Sequence, residues 1–331
     1  MNRSAKINVA VIGLGYMGQN HTRILFGMEN VSLVAVCDID EGKTNKIASQ
    51  YKVKPYKDFK AMIQKEKLDA VFICLPTIFH FNSAMIAIKS KIAVFVEKPI
   101  TTDIKQADQL IKASRLYKVP LMVGHIERFN PVVNEINNRI KSQEIGKVFK
   151  IHTSRFSPPG GRVNDVSVIL DLATHDIDII KYLIDQPIIR IYAETEAFTH
   201  KKADLMSALL RFKNGVIGVV EVSWLHPTKV RHLSVVGERG SYEADYLTQE
   251  LSFYRQNNKM SKGYESPSQF NSADIIKIAF KAQEPLLVEL QAFINALMHR
   301  KKMPVTGEEG REALLIAEKI SQSGTLHKII K

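Results

Sequence analysis

The chain has 331 residues, 45% hydrophobic and 24% charged, enough for a sizeable core and, at this length, for two domains. No apolar run reaches the ~20 residues of a membrane-spanning helix, and the first residues lack a signal-peptide pattern, so the expected location is the cytoplasm. A net charge of +12 points to an anionic partner, but the lysines are dispersed and no recognition motif accompanies them; this argues against nucleic acid and leaves an anionic small molecule open.

Continuous apolar runs occur at 7–13, 31–38, 69–76, 92–99 and 119–125, as in strands buried on both faces of a parallel sheet. The segments between them, such as MGQNHTRILFGM and FNSAMIAIKS, carry helical spacing. Such alternation predicts right-handed crossovers and a doubly wound α/β sheet over residues 1–123. Cys37 and Cys74 each sit in an apolar run and read as buried thiols of a reducing compartment.

Residues 124–331 follow another pattern, predicted as an α+β domain with an open, mostly antiparallel sheet. A helix over 131–146 is stopped by Gly146, a strand covers 148–157, and a strong amphipathic helix covers 167–184. Strands follow at 188–198, 205–212, 216–225, 231–240 and 250–255, with Asn214-Gly215 as a two-residue hairpin turn. A polar loop is expected at 256–272, and two helices separated by Met303-Pro304 close the chain.

Gly13, Gly15 and Gly18 form G-x-G-x-x-G between a strand and a helix. The first glycine permits the tight turn, the second lets backbone approach a pyrophosphate, and the third lets helix and strand pack closely. The helix start, including Tyr16 and Met17, offers free N–H groups and a partial positive charge. Asp38 ends the second strand, where its carboxylate can accept ribose hydroxyls and repel a 2′-phosphate, so the expected cofactor is NAD rather than NADP. DIDEG also reads as a plain turn in which Asp38 is a turn acid. Ligands of such sheets lie beyond the carboxyl ends of the strands. There the chain places Leu75, Pro76, Thr77 and His80, then Glu97, Lys98 and Pro99, then His125. His80 reads either as a helix-start residue or as lining the adenine side.

On VIGLGYMGQNH at 11–21, CLPTIFH at 74–80, VEKPI at 96–100, GHIERFNP at 124–131 and DLATHDID at 171–178, the chain resembles the glucose–fructose oxidoreductase / inositol dehydrogenase (Gfo/Idh/MocA) family over nearly its whole length. The resemblance implies a Rossmann domain, a second domain whose sheet carries substrate on one face and often an oligomer contact on the other, and a homodimer or homotetramer. It implies that Lys98 hydrogen-bonds the reacting hydroxyl near the nicotinamide, with Glu97 orienting the lysine or touching the cofactor. By residue type alone the commoner reading of Lys98 is an exposed lysine capping a turn; its position at the cofactor edge and the resemblance reverse that, and Pro99 would hold its backbone rigidly.

Asp171, His175 and Asp178 fall at i, i+4 and i+7, one face of a helix. Asp171 could orient His175, a suitable acceptor for the proton an alcohol loses on oxidation. Spacing alone supports a surface salt bridge equally, and a metal reading lacks a third ligand. The resemblance assigns Asp171 and His175 to catalysis without metal. Arg128, Arg155 and Arg162 are candidate contacts for a carboxylate or diphosphate, with interdomain salt bridges as the alternative. GHIERFNP with the later RFSPPGGR loop is most similar to the branch acting on UDP-N-acetylhexosamines, which implies oxidation at C3 of a sugar such as UDP-N-acetylglucosamine. A myo-inositol or free-sugar dehydrogenase is the nearest alternative, and a catalytically silent NAD-binding sensor or scaffold a more distant one.

Overall fold

The computed structural model describes residues 6–159, 167–256 and 274–331. The chain divides into two compact units, Met1–Ile126 with Glu284–Leu315, and Glu127–Gln283 with Ile316–Lys331. The expected division after residue 123 therefore needs correcting. The first strand-rich segment keeps three further residues, and helix α8 (Pro285–Met298) belongs with it rather than with the second half. Its apolar face includes Phe293, which packs edge-on against Phe72 and Phe95 of the first unit's sheet.

In the first unit, strands β1 (Ile7–Ile12), β2 (Val31–Cys37), β3 (Lys54–Tyr56), β4 (Ala70–Ile73), β5 (Ala93–Glu97) and β6 (Leu121–Gly124) form one sheet in the order β3-β2-β1-β4-β5-β6. All its pairings are parallel. The central strands are almost wholly buried, which is why they read as uninterrupted apolar runs. Helices α1 (Tyr16–Phe26), α2 (Glu41–Tyr51), α3 (Phe59–Lys65), α4 (His80–Lys89) and α5 (Ile104–Tyr117) connect them. Strand order reverses between β1 and β4, the crevice where such sheets bind ligands. Only β3 has no counterpart among the apolar runs; KPY is short, polar and carries a proline, as an edge strand can.

In the second unit, α6 (Pro131–Lys141) precedes β7 (Val148–Phe156), and α7 (Thr174–Ile184) precedes β8 (Ile188–Glu196), β9 (Leu205–Phe212), β10 (Ile217–Ser223), β11 (Val230–Gly237), β12 (Gly240–Asp245), β13 (Glu250–Arg255) and β14 (Asp274–Lys277). The sheet runs β14-β13-β12-β11-β7-β10-β9-β8, antiparallel except for β7 with β10. α7 packs against β7 and β10. The β9–β10 turn uses Gly215 at φ +92° but extends over 213–215, because Phe212 already pairs with Val216. Helix α6 stops at Lys141, and Gly146 supplies a later turn at φ +71°. The predicted polar loop lies outside the described residues beyond Gln256. The last helix, α9, spans Gly307–Leu326.

Candidate functional site

The carboxyl edge of the parallel sheet is built around the glycine turn. Gly13 has φ +89°, and a Cβ there would meet the Cys74 carbonyl oxygen at 2.7 Å. A Cβ on Gly18 would fall 1.7 Å from the Gly13 carbonyl oxygen, so α1 can approach β1 only with glycine there. Gly15 differs: no atom lies within 4 Å of where its Cβ would be, and it caps α1 without a side-chain hydrogen bond. An open space at an uncapped helix N-terminus fits a pyrophosphate. Tyr16 is exposed beside it, and Met17 is partly exposed.

Asp38 reaches back to this turn. Its Oδ2 accepts from Leu14 N–H at 2.6 Å and its Oδ1 from Asp40 N–H at 3.0 Å. It is thus a turn acid, and it also holds a partly exposed carboxylate at the glycine loop, where each oxygen keeps a further lone pair for a hydroxyl. Asp40, not Asp38, caps α2. Leu75 and Thr77 are partly exposed and Pro76 exposed on the same edge, at the end of β4. Lys98 follows β5, partly exposed, through a cis bond to Pro99. The chain therefore presents loop, carboxylate and lysine on one edge of one sheet, an arrangement that fits NAD.

His80 does not line this edge. It opens α4, is 1% exposed, and places Nδ1 and Nε2 each 2.8 Å from a backbone carbonyl, those of Pro99 and Leu75. It ties the loops after β4 and β5 together, and burial holds its pKa below the usual histidine range despite those carbonyls. Glu97 is also internal, hydrogen-bonded to His21 Nε2 at 2.8 Å. His21 was overlooked as a functional candidate, although Gly18, His21, Thr22 and Leu25 form the buried face of α1 at helical spacing.

The second unit carries the Asp/His segment. Its helix is not regular: Ile169–Ala173 is a π-helical turn that runs into α7, with Asp171 in the turn and His175 and Asp178 in the helix. Asp171 and His175 remain partly exposed. Asp178 is 2% exposed and receives both Nε–H and an Nη–H of Arg128 at 2.7 and 2.6 Å. Asp176 likewise receives Arg155 at 2.6 Å, and Glu127 takes that guanidinium's other end at 2.8 Å. Burial alone would lower the Arg155 pKa, but the two carboxylates raise it above its usual range.

Arg128 and Arg155, expected as candidate substrate contacts, are thus each paired with carboxylates. They are 7% and 3% exposed, and the carboxylates they bind, Asp178, Asp176 and Glu127, belong to the same unit. Arg162 lies outside the described residues. Arg231 was missed. It faces Arg155 in the β7–β11 register, donates to the Phe156 and Val230 carbonyls and to Ser157 Oγ, and its pKa falls to about 10 through burial and the nearby Arg155 charge. Trp224 and Tyr242 are packed in the core, Tyr242 donating to Glu144 at 2.7 Å. Among the described residues, no group of three His, Cys, Asp or Glu side chains is arranged to hold a metal ion, and no helix is long and apolar enough to cross a membrane.

Comparison with known proteins follows the same division. Residues 7–125 match the model of an oxidoreductase family with an NAD-binding Rossmann fold, and residues 133–243 match the GFO/IDH/MocA C-terminal domain. A myo-inositol 2-dehydrogenase of Thermotoga maritima is 26% identical over 94% of both chains. A UDP-N-acetylglucosamine 3-dehydrogenase of Acidithiobacillus ferrooxidans is 24% identical over 94% of this chain and 95% of its own. The solved structure of that enzyme superposes with a TM-score of 0.85 at 23% identity, covering 96% of this chain and 97% of the other.

Proposed function

The chain belongs to the GFO/IDH/MocA oxidoreductase family, and we propose that it uses NAD to oxidise a CH–OH carbon of a sugar nucleotide, at C3 of a UDP-N-acetylhexosamine such as UDP-N-acetylglucosamine. The observation that carries this reading is the placement of Lys98 at the carboxyl end of β5, on the edge that also carries the glycine turn and Asp38. An ammonium beside a bound nicotinamide is suited to hydrogen-bond the reacting hydroxyl and to stabilise the oxygen as its proton leaves.

NAD supplies the acceptor for the hydrogen and electron pair lost from carbon. Gly15, Tyr16 and Met17 bind it at the helix start, and Asp38 holds its ribose. Leu75, Pro76 and Thr77 form a wall of its pocket. His175 takes the hydroxyl proton, with Asp171 as its neighbour; a histidine is matched to that transfer near neutral pH. Arg128 and Arg155 are paired with buried carboxylates, and Arg231, opposite Arg155 in the β7–β11 register, is proposed as a contact for an anionic substituent.

The sugar-nucleotide reading draws on the Acidithiobacillus relative and on the net charge of +12. The Thermotoga relative, at similar identity, favours a second reading, a polyol such as myo-inositol. The protein is proposed to be a cytoplasmic homo-oligomer. Incubation with NAD and UDP-N-acetylglucosamine, free sugars or myo-inositol, followed at the reduced-nicotinamide absorbance, separates the two. Oxidation of the nucleotide sugar, inhibited by UDP, is expected; oxidation of myo-inositol alone replaces the first reading with the second. Lys98→Ala should lower kcat by roughly 10²–10⁴-fold. A variant as fast as the parent removes Lys98 from the site.

A further inference from the structure

Beneath the Lys98 turn lies a buried polar pair that burial of apolar surface does not explain. Glu97 ends β5, and its side chain is 11% exposed; the His21 side chain, from α1, is 0% exposed. His21 Nε2 and Glu97 Oε1 are 2.8 Å apart. The ring is clamped edge-on by Phe95 at 5.3 Å and Phe72 at 5.9 Å, and those two rings meet each other and Phe293. Two well-packed apolar residues would fill such a space at no cost in desolvation, so a buried pair of this kind is weak as a stability device.

The pair also has a defined polarity. A carboxylate only accepts, so the shared proton is on His21 Nε2. Nδ1 is buried without a hydrogen-bond partner, so a second proton there would find no acceptor. The site is assembled by the glycine turn: His21 is three residues beyond Gly18, whose missing Cβ lets α1 approach the sheet.

We propose that His21 is a positioning residue for the reaction: its Nε2–H anchors the Glu97 carboxylate, and that anchored negative charge holds the adjoining Lys98 ammonium ready for substrate. The proposal rests on the reading of Lys98 given above. The groups around Glu97 agree with it. His21 faces it from α1, His80 from α4 and Lys98 from the next position, and its strand partner is Gly124, which precedes His125. Cys74, at the end of β4, feels both Glu97 and Glu289 of α8. Burial pushes the Glu97 carboxyl up, but the His21 hydrogen bond, with the Lys98 charge beside it, brings it below the usual glutamate range. Removing His21 leaves the burial and removes its largest opponent.

The test uses the full chain with NAD and whichever of UDP-N-acetylglucosamine and myo-inositol it oxidises. For His21→Leu, kcat should fall roughly ten- to a hundredfold, the range to which a charge-assisted hydrogen bond converts, with KM little changed. The acid limb of its pH–kcat profile should move to higher pH. His21→Gln keeps a donor at similar reach and should restore both rate and limb. Glu97→Gln should remove the part of the limb that moves in His21→Leu, and adding His21→Leu to it should cost little more. An acid limb unmoved in His21→Leu overturns the proposal, as does a Gln variant no better than Leu. Lys98→Ala at parental rate instead overturns the Lys98 reading. Nitrogen-15 NMR of labelled imidazoles, with His21→Gln assigning the signal, reads the proton without substrate. A protonated Nε2 and bare Nδ1 support the pair as drawn, and the reverse tautomer refutes it.

Discussion

The backbone N–H of Leu14 donates to Asp38 Oδ2 at 2.6 Å, so the acid at the end of β2 is physically joined to the glycine turn after β1. Asp38 thereby shapes the loop, and on the proposed reading it also supplies a negative charge at the ribose. Substitutions can separate the two roles. Asp38→Asn keeps an oxygen for Leu14 but removes the charge that repels a 2′-phosphate. Its kcat/KM with NAD should fall about tenfold, or ~1.4 kcal/mol, while that with NADP rises. Asp38→Ala removes both roles and should also lower the melting temperature. An Asn variant with the parent's NAD preference would falsify the charge assignment.

The glycines of the turn make a second, opposite pair of predictions. Nothing lies within 4 Å of a Cβ on Gly15, so Gly15→Ala should leave the fold intact, with stability within roughly 0.5 kcal/mol of the parent. It should nevertheless weaken NADH binding, because the methyl enters the space assigned to pyrophosphate. Gly18→Ala places its Cβ 1.7 Å from the Gly13 carbonyl oxygen, and either helix or strand must move. Overpacking of that kind costs typically ~1–3 kcal/mol and should appear first in thermal unfolding. Equal melting temperatures for the two variants would contradict the geometry.

What the sequence revealed and what it hid follow from the range of each signal. The central parallel strands were legible because both faces are covered and nearly every position is apolar. The edge strand β3 was not, since three residues with a proline carry no period. The π-helical turn at Ile169–Ala173 was invisible because a wider turn needs no change in residue type. The roles of Arg128 and Arg155 were open because their carboxylates lie 50 and 21 residues away, and only the fold selects those partners over substrate. Helix α8 read correctly as an apolar helix, but its pattern does not say which sheet it covers. The cofactor edge was legible because glycine spacing, Asp38 and strand ends are all local.

Arg128 and Asp178 offer a test of whether their pair is internal rather than a substrate contact. Both are buried and joined by two hydrogen bonds, at 2.7 and 2.6 Å. Removing one partner strands the other charge, so Arg128→Leu or Asp178→Leu should each cost about 3–5 kcal/mol in denaturant unfolding. The double variant should be markedly less damaged than the sum of the two. Arg128→Lys should not restore stability, since a point ammonium cannot reproduce the planar fork. Full stability in Arg128→Leu, with only a raised substrate KM, would return this arginine to the list of substrate contacts.

The two thiols test the packing on which the glycine turn depends. Burial pushes the Cys37 pKa up to about 12, helped by Asp58 and Asp38, and raises that of Cys74 well above the usual thiol range. At pH 8 a group of pKa about 12 is thiolate in only about one molecule in ten thousand, and the thiolate is the nucleophile. A disulfide reagent such as DTNB should therefore label neither cysteine in the folded chain within minutes and both after denaturation. Raising the pH should accelerate labelling of Cys37. In Gly18→Ala the displaced helix should act on Cys74 first, because a Cβ at position 18 would also lie 3.5 Å from the Cys74 Cβ. Selective labelling of Cys74 in that variant would locate the strain at the junction of α1 with the end of β4. Equal protection of both thiols would mean that the helix accommodates the methyl without opening the turn.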